Sequence, residues 1–216
     1  GVAGTMVDPR LELYEGQTRT FANDDWPQNL AAVFPTVGAF PLGNGNPSKD
    51  AAFLQPINGT RSIWARGTGA GVVLVEAYDT GAPSAARLVN VSARNRVGTG
   101  DDILIAGFNI SGPAGTAPKP LLIRAVGPGL AALGVPGTLA DPKLEIFDSG
   151  GAKVVENDSW NASLAAVFSS VGAFALPAVS RDAALVVSLP PGTYTAQVSG
   201  VGGLTGDAII EVYELP

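Results

Sequence analysis

The chain has 216 residues, with 13 basic and 19 acidic side chains, a formal net charge of −6, and neither Cys nor His. The negative charge argues against nucleic acid or an anionic membrane surface as a partner. The missing residue types exclude a disulfide framework, a thiol nucleophile, zinc–thiolate or imidazole metal ligation and a Ser-His-Asp triad. No apolar run is long enough to span a bilayer, so we expect no membrane insertion.

Residues 1–80 predict five short strands and one short helix. Leu11 and Leu13 alternate with Glu12, and this period of two is typical of a half-buried strand. Helical spacing of apolar residues between Trp26 and Phe34 predicts one or two helical turns. The five strands are predicted at residues 10–14, 18–22, 50–54, 61–66 and 72–78.

Residues 81–86 are small and flexible, which is typical of a linker. Segment 87–133 occurs once, whereas residues 134–216 repeat the plan of residues 1–80. We therefore predict an all-β protein of two antiparallel β-sandwich units related by an internal repeat, each with one short helix. The first repeat, 1–80, is incomplete, and the second, 87–216, has about eight strands. Three of those strands are predicted at residues 87–91, 102–110 and 120–126.

The two copies share a signature of polar and aromatic residues. Asn23-Asp-Asp-Trp26 in the first copy corresponds to Asn157-Asp-Ser-Trp160 in the second. The offset between equivalent residues varies only from 132 to 135, so the insertions and deletions are short and are expected in turns. The signature pairs are Asp8 with Asp141, Trp26 with Trp160, Asp50 with Asp182, Glu76 with Glu211, and Tyr78 with Tyr213.

The first copy lacks an equivalent of the three strands in segment 87–133. A lone five-stranded piece would expose apolar faces and unpaired strand edges, which soluble proteins avoid. Three explanations stay open: the chain is cut from a longer tandem array, both copies share the segment, or a neighbouring chain supplies the missing strands. The last would be β-strand addition between subunits, and head-to-tail addition that does not close makes a fibre.

The repeated Asn-Asp-x-Trp motif is the most conspicuous polar cluster. Its oxygens are candidate Ca²⁺ ligands, and its Trp is a candidate platform for a sugar ring. A structural interpretation is favoured, in which the polar residues cap the short helix and the Trp fills the core beneath it. Ser159 also replaces one carboxylate in the second copy. The candidate metal ligands are Asp24, Asp25 and Asp158, and the candidate ligand-binding residues are Trp26, Trp64 and Trp160.

Arginines of the unique segment are predicted to pair with nearby acids rather than to form a binding patch. Arg94, Arg96 and Arg124 are the cations, and Asp101 and Asp102 are the expected partners. No combination of residues amounts to a catalytic site, so we expect neither enzymatic activity nor a cofactor.

Several strings in the second half carry a family resemblance: Leu121-Leu-Ile-Arg-Ala-Val-Gly-Pro128, Gly137-Thr-Leu-Ala-Asp-Pro142, Asn157-Asp-Ser-Trp160, Asp182-Ala-Ala-Leu185 and Glu211-Val-Tyr213. They resemble a repeat module that occurs, often in tandem, in large secreted and surface proteins of environmental bacteria. The Pro191-Gly-Thr-Tyr-Thr195 hairpin is similar to that of bacterial pre-peptidase C-terminal-type sandwiches. The resemblance implies an extracellular or cell-surface β-sandwich used for display, adhesion or assembly, and it supplies no catalytic residues.

Two functions are therefore expected. The first is a non-enzymatic extracellular structural protein that assembles with copies of itself, as a head-to-tail filament through β-strand complementation between subunits. The alternative is a carbohydrate-binding or adhesion module of a larger surface protein, with polysaccharide as its partner.

Overall fold

The computed structural model describes residues 4–45, 47–81, 88–113 and 115–216. The chain is all-β, as predicted, with short helices, and it divides into two compact units, Gly1–Arg87 and Leu88–Pro216. All of the predicted linker 81–86 except its first residue lies outside the described residues.

The first unit contains one antiparallel sheet of three strands, in the order β2-β1-β3. The central strand β1 places Leu11 and Leu13 on one face, as its sequence period predicts, but Glu12 on the other face is buried as well as Leu13. The elements are β1 (Arg10–Glu15), β2 (Thr18–Asn23), β3 (Ser62–Arg66), the short helix α1 (Phe34–Val37), and 3₁₀ turns at Gln28–Ala32 and Leu42–Gly45.

Two of the five strands predicted in the first copy do not form. Residues 50–54 lie outside any strand, and residues 72–78 contribute a single parallel bridge, between Thr5 and Val72. Pro35 lies in the first turn of α1, where its missing N–H leaves no intrahelical bond unmade, rather than ending a helix.

The second unit is a sandwich of two four-stranded antiparallel sheets, β5-β10-β7-β8 and β4-β11-β6-β9. Its strands are β4 (Asn90–Val97), β5 (Leu104–Ile110), β6 (Lys119–Val126), β7 (Pro142–Asp148), β8 (Lys153–Asn157), β9 (Ala183–Leu189), β10 (Gly192–Gly200) and β11 (Gly206–Glu214). Its helices are α2 (Pro128–Ala132) and α3 (Ala165–Ser170). None of the helices in the described residues is long and apolar enough to cross a membrane.

Strand β6 lies at the centre of the second unit. Ile123 and Ala125 point into the core between the two sheets, whereas Leu122 and Val126 join a second core that contains Phe168 of α3. Both edges of β6 are hydrogen-bonded, one to β11 and one to β9. The strand is therefore covered on both faces and paired on both sides, which explains its nearly continuous apolar sequence.

The position of β6 explains why equivalent sequences fold differently in the two copies. The equivalents of β9 and β11 are residues 51–57 and 71–79, but nothing in residues 1–80 is equivalent to β6. Strand propensity depends on having a neighbouring strand and a covered face, so these apolar segments do not form the second sheet. We call residues 51–57 and 73–78, which lie outside any strand, the open segments.

Candidate functional site

The Asn of each Asn-Asp-x-Trp motif ties a turn to a later segment of its own copy. The Asn157 amide donates to the Ser159 carbonyl at 2.9 Å and accepts from the Ala184 amide at 3.0 Å. Asn23 makes the equivalent bonds with Asp25 and Ala52, at 2.9 and 3.0 Å. The predicted helix cap is therefore wrong for this Asn, because its side chain bridges two segments instead.

Two of the three tryptophans are core residues. Trp26 and Trp160 are only 7% and 9% exposed, and each packs at a tilt against a Phe of the α-helix in its own copy, Phe34 of α1 and Phe168 of α3. Their indole N–H groups donate to Ser48 at 3.2 Å and to Ser180 at 3.1 Å. These rings are not accessible to a sugar, whereas Trp64 is 46% exposed.

Neither Asp24 and Asp25 in the first unit nor Asp158 in the second belongs to a metal-binding cluster of described residues. Asp24, Asp25 and Asp158 are all exposed, and Asp25 forms an ion pair with Lys49 at 3.2 Å. Within the described residues, no group of three or more acidic side chains is placed to hold a metal ion.

Asp141 and Asp8 differ in their partners. The Asp141 carboxylate accepts from Arg181, and its backbone carbonyl accepts from Val201 at 2.9 Å. In the first copy the cation equivalent to Arg181 is Lys49, which pairs with Asp25 instead. Asp8 Oδ1 is consequently buried without a hydrogen-bond partner among the described residues.

Asp182 joins the second copy to the corner that follows β6. Its fully buried carboxylate accepts from the backbone N–H groups of Gly127 and Gly129, at 2.8 and 3.1 Å, and from the Ser180 hydroxyl at 2.6 Å. The first copy keeps the serine, because Ser48 donates to Asp50 at 2.7 Å. It has no equivalent of the glycine corner, and Asp50 is only partly buried.

A buried ion pair joins β6 to β11. Arg124 Nε donates to Glu211 at 2.8 Å, and Arg124 Nη1 donates to the Phe174 carbonyl at 2.6 Å. The guanidinium lies 4.4 Å from the centre of the Phe174 ring. Tyr213 donates to the other Glu211 oxygen at 2.8 Å, and burial together with the Glu211 charge raises the pKa of Tyr213 to about 12. The predicted pairing of Arg124 with Asp101 or Asp102 is therefore wrong.

The first copy holds the acidic half of this ion pair without the arginine. Tyr78 donates to Glu76 at 3.0 Å, as Tyr213 does to Glu211, and partial burial of the ring together with that hydrogen bond raises the pKa of Tyr78. Glu76 is exposed, and so is Phe40, the equivalent of Phe174, at 52%. The exposed apolar side chains of the open segments are Leu54, Ile57, Val73, Leu74, Val75 and Tyr78.

A cluster around Glu12 was not predicted from the sequence. Glu12 is 2% exposed and accepts from Arg10, from Arg19 at 2.9 Å, from Arg66 at 3.1 Å and from the Tyr14 hydroxyl at 2.9 Å. The Tyr14 hydrogen bond, followed by those from the arginines, lowers the pKa of Glu12 to about 2. The sequence did contain a signal for this cluster. Glu12, Arg19 and Arg66 lie on β1 and on the two strands that pair with it, at positions whose side chains share one face of the sheet.

No protein-family model matches this chain, and none of the curated proteins compared with it matches either.

We expect Asp182→Ala to destabilise the second unit far more than Asp50→Ala destabilises the first. Removal of the Asp182 carboxylate leaves two buried glycine N–H groups without an acceptor, at about 1–3 kcal/mol each. Asp50 accepts a single hydroxyl bond at a partly exposed site, so we expect about 1 kcal/mol or less. Urea denaturation monitored by circular dichroism measures both; equal losses would contradict this asymmetry.

We expect Glu12 to contribute stability that is lost in acid. Its folded pKa of about 2 lies below the ordinary 4.5, so the contribution is complete above pH 4.5 and declines as the pH falls toward 2. The urea midpoint of the wild type should therefore fall more steeply over this range than that of Glu12→Gln. Glu15→Gln removes a more exposed carboxylate of the same strand and serves as the control. Parallel curves for wild type and Glu12→Gln would contradict the prediction.

Proposed function

We propose that the chain is a non-enzymatic extracellular structural protein that assembles with copies of itself through β-strand complementation of its first unit. One observation carries the proposal: equivalent sequences form a closed sandwich in the second unit and leave the open segments outside any strand in the first. A strand from another chain would supply backbone partners to the open segments, which pair with no strand within the described residues.

The strand acceptor of such an assembly, formed by the open segments, and the strand donor, supplied by the next copy, are different surfaces. Strand β4 lies at the edge of its sheet and carries exposed Arg94 and Arg96, so it is the donor strand that best matches the acidic Glu76 in charge. Pairing a donor edge of one copy with the acceptor of the next is heterologous, and a heterologous contact that does not close into a ring propagates as a filament.

We expect the purified chain to form oligomers whose mass rises with concentration, and filaments visible by negative-stain microscopy. Leu74→Lys, at a 69% exposed apolar side chain of an open segment, should weaken assembly by about tenfold or more, because it places a charge in the interface. Light scattering measures the mass.

Val179→Lys is the matched control, since Val179 is 96% exposed and lies outside the open segments. A mass of 21.8 kDa at every wild-type concentration would contradict the proposal. Equal weakening by both lysine variants would indicate a general effect of charge on association rather than a contact at the open segments.

A carbohydrate-binding function is supported by Trp64. Its ring is 46% exposed, lies 5.3 Å from the Tyr14 ring and carries the Arg66 guanidinium at 4.3 Å from its centre. The two rings are tilted by 37°, and the guanidinium lies over the Trp64 ring, so the pair offers an exposed aromatic surface with a hydrogen-bond donor on it. This arrangement suits a polysaccharide.

If polysaccharide is the partner, Trp64→Ala should abolish pull-down of the chain by the glycan that binds it. Val7→Ala, which changes an 85% exposed side chain of the same unit, should leave the pull-down intact. Failure of every soluble bacterial polysaccharide to retain the wild-type chain would exclude this alternative.

A further inference from the structure

The second unit shows what occupies the space between the equivalents of the open segments. Leu121–Val126 of β6 pairs with β11 on one side, and Lys119–Ala125 pairs with β9 on the other. Arg124 lies directly opposite Glu211 in this register. Gly127 and Gly129 follow at the end of the strand and donate to Asp182.

The first unit carries the recipient group for each of these features. Glu76 and Tyr78 are hydrogen-bonded to each other as Glu211 and Tyr213 are, and Phe40 is the exposed equivalent of the ring beside Arg124. Asp50 is held by Ser48 as Asp182 is by Ser180. Residues 1–80 contain no equivalent of β6, the strand that these groups contact in the second unit.

We propose that the first unit binds an inserted extended segment with the chemistry of residues 119–130, supplied by another polypeptide. This segment has apolar residues on both faces, one Arg that pairs with Glu76, and a Gly-x-Gly corner whose N–H groups donate to Asp50. The inference rests on the proposed function only in taking the first unit as an acceptor, and it names the segment that the acceptor selects.

The arginine provides charge specificity. Insertion of a strand buries Glu76 as Glu211 is buried, at 4% exposure, and an unpaired buried carboxylate is strongly unfavourable. A segment without a cation at this position is therefore disfavoured, and a segment with an acid there is excluded.

The glycines provide steric specificity. A Cβ at Gly127 would lie 2.0 Å from the Leu139 carbonyl oxygen, and a Cβ at Gly129 would lie 2.8 Å from Val126 and 2.9 Å from Leu176. The corner after the inserted strand therefore admits no side chain at either position if the first unit packs as the second does.

A folded second copy does not have this segment free. Its own β6 is hydrogen-bonded on both edges, and Leu122, Ile123, Ala125 and Val126 are fully buried. The occupant is therefore a segment of this pattern that is not already part of a sandwich. Residues 73–78 pair with no strand on either side within the part of the chain that the structure describes, so insertion along one side leaves the other for an edge strand of a neighbouring copy.

The test is binding of a labelled synthetic peptide of residues 119–130 to the full chain, measured by fluorescence anisotropy. We expect saturable one-to-one binding, weakened at least about tenfold when the peptide carries Arg124→Glu, because two carboxylates then face each other. Glu76→Arg in the chain should weaken the wild-type peptide and restore binding of the Arg124→Glu peptide. Asp158→Arg, an exposed acid in the second unit, is the matched control.

Hydrogen exchange gives a second readout that does not depend on the variants. Amides of the open segments should gain protection from hydrogen exchange on peptide binding. If the peptide instead displaced β6 in the second unit, the protection of β9 and β11 would change. Absence of binding, or binding that ignores both charge reversals, overturns the inference. A chain that is monomeric yet binds the peptide contradicts self-assembly alone, and a chain that assembles but rejects the peptide contradicts insertion alone.

Discussion

The backbone hydrogen bonds along the two edges of β6 decide which parts of the repeat become sheet. With β6 present, β9 and β11 are joined through it into a four-stranded sheet, in which β6 itself is buried on both faces. Without an equivalent strand, the same apolar patterns lie outside any strand in the first unit. A strand gains stability from its neighbours rather than from its own propensity, so one missing central strand removes two others from the layer.

The polar groups of the repeat fall into two classes with different dependence on β6. The Asn, Trp and Ser side chains find all of their partners within one copy, and their distances agree between copies within about 0.1 Å. Asp182 and Glu211 instead meet groups of the unique segment. Hydrogen bonds between residues of one copy are thus also present in the incomplete copy. Asp50 and Glu76 keep only their bonds to Ser48 and Tyr78, because the first copy has no equivalent of the glycines and the arginine of the unique segment.

Strands whose neighbours are present in the fold were predictable from the local pattern of apolar and polar residues. Alternation of Leu11 and Leu13 with Glu12 predicted β1, and the eight strands of the second unit follow the predicted plan. The nearly continuous apolar run at 72–78 predicts a strand. Whether such a run forms a strand or stays exposed depends on a neighbouring strand that the local sequence does not reveal. The partners of Asn23, Arg124 and Glu12 lie 29, 87 and up to 54 residues away, which no local rule reaches.

Preorganisation decides whether an incomplete sandwich can act as an acceptor. If the first unit were disordered without a bound strand, binding would have to order the whole site, and the entropy cost of that ordering would offset most of the binding free energy. Ser48 accepts from the Trp26 indole and donates to Asp50, which fixes one end of the site, and the Tyr78 hydroxyl donates to Glu76 as that of Tyr213 does to Glu211. The Asp50 end of the site is thereby set before any strand arrives, whereas Glu76 lies in an open segment. The backbone bonds of insertion are therefore opposed mainly by the ordering of the open segments and of the incoming strand.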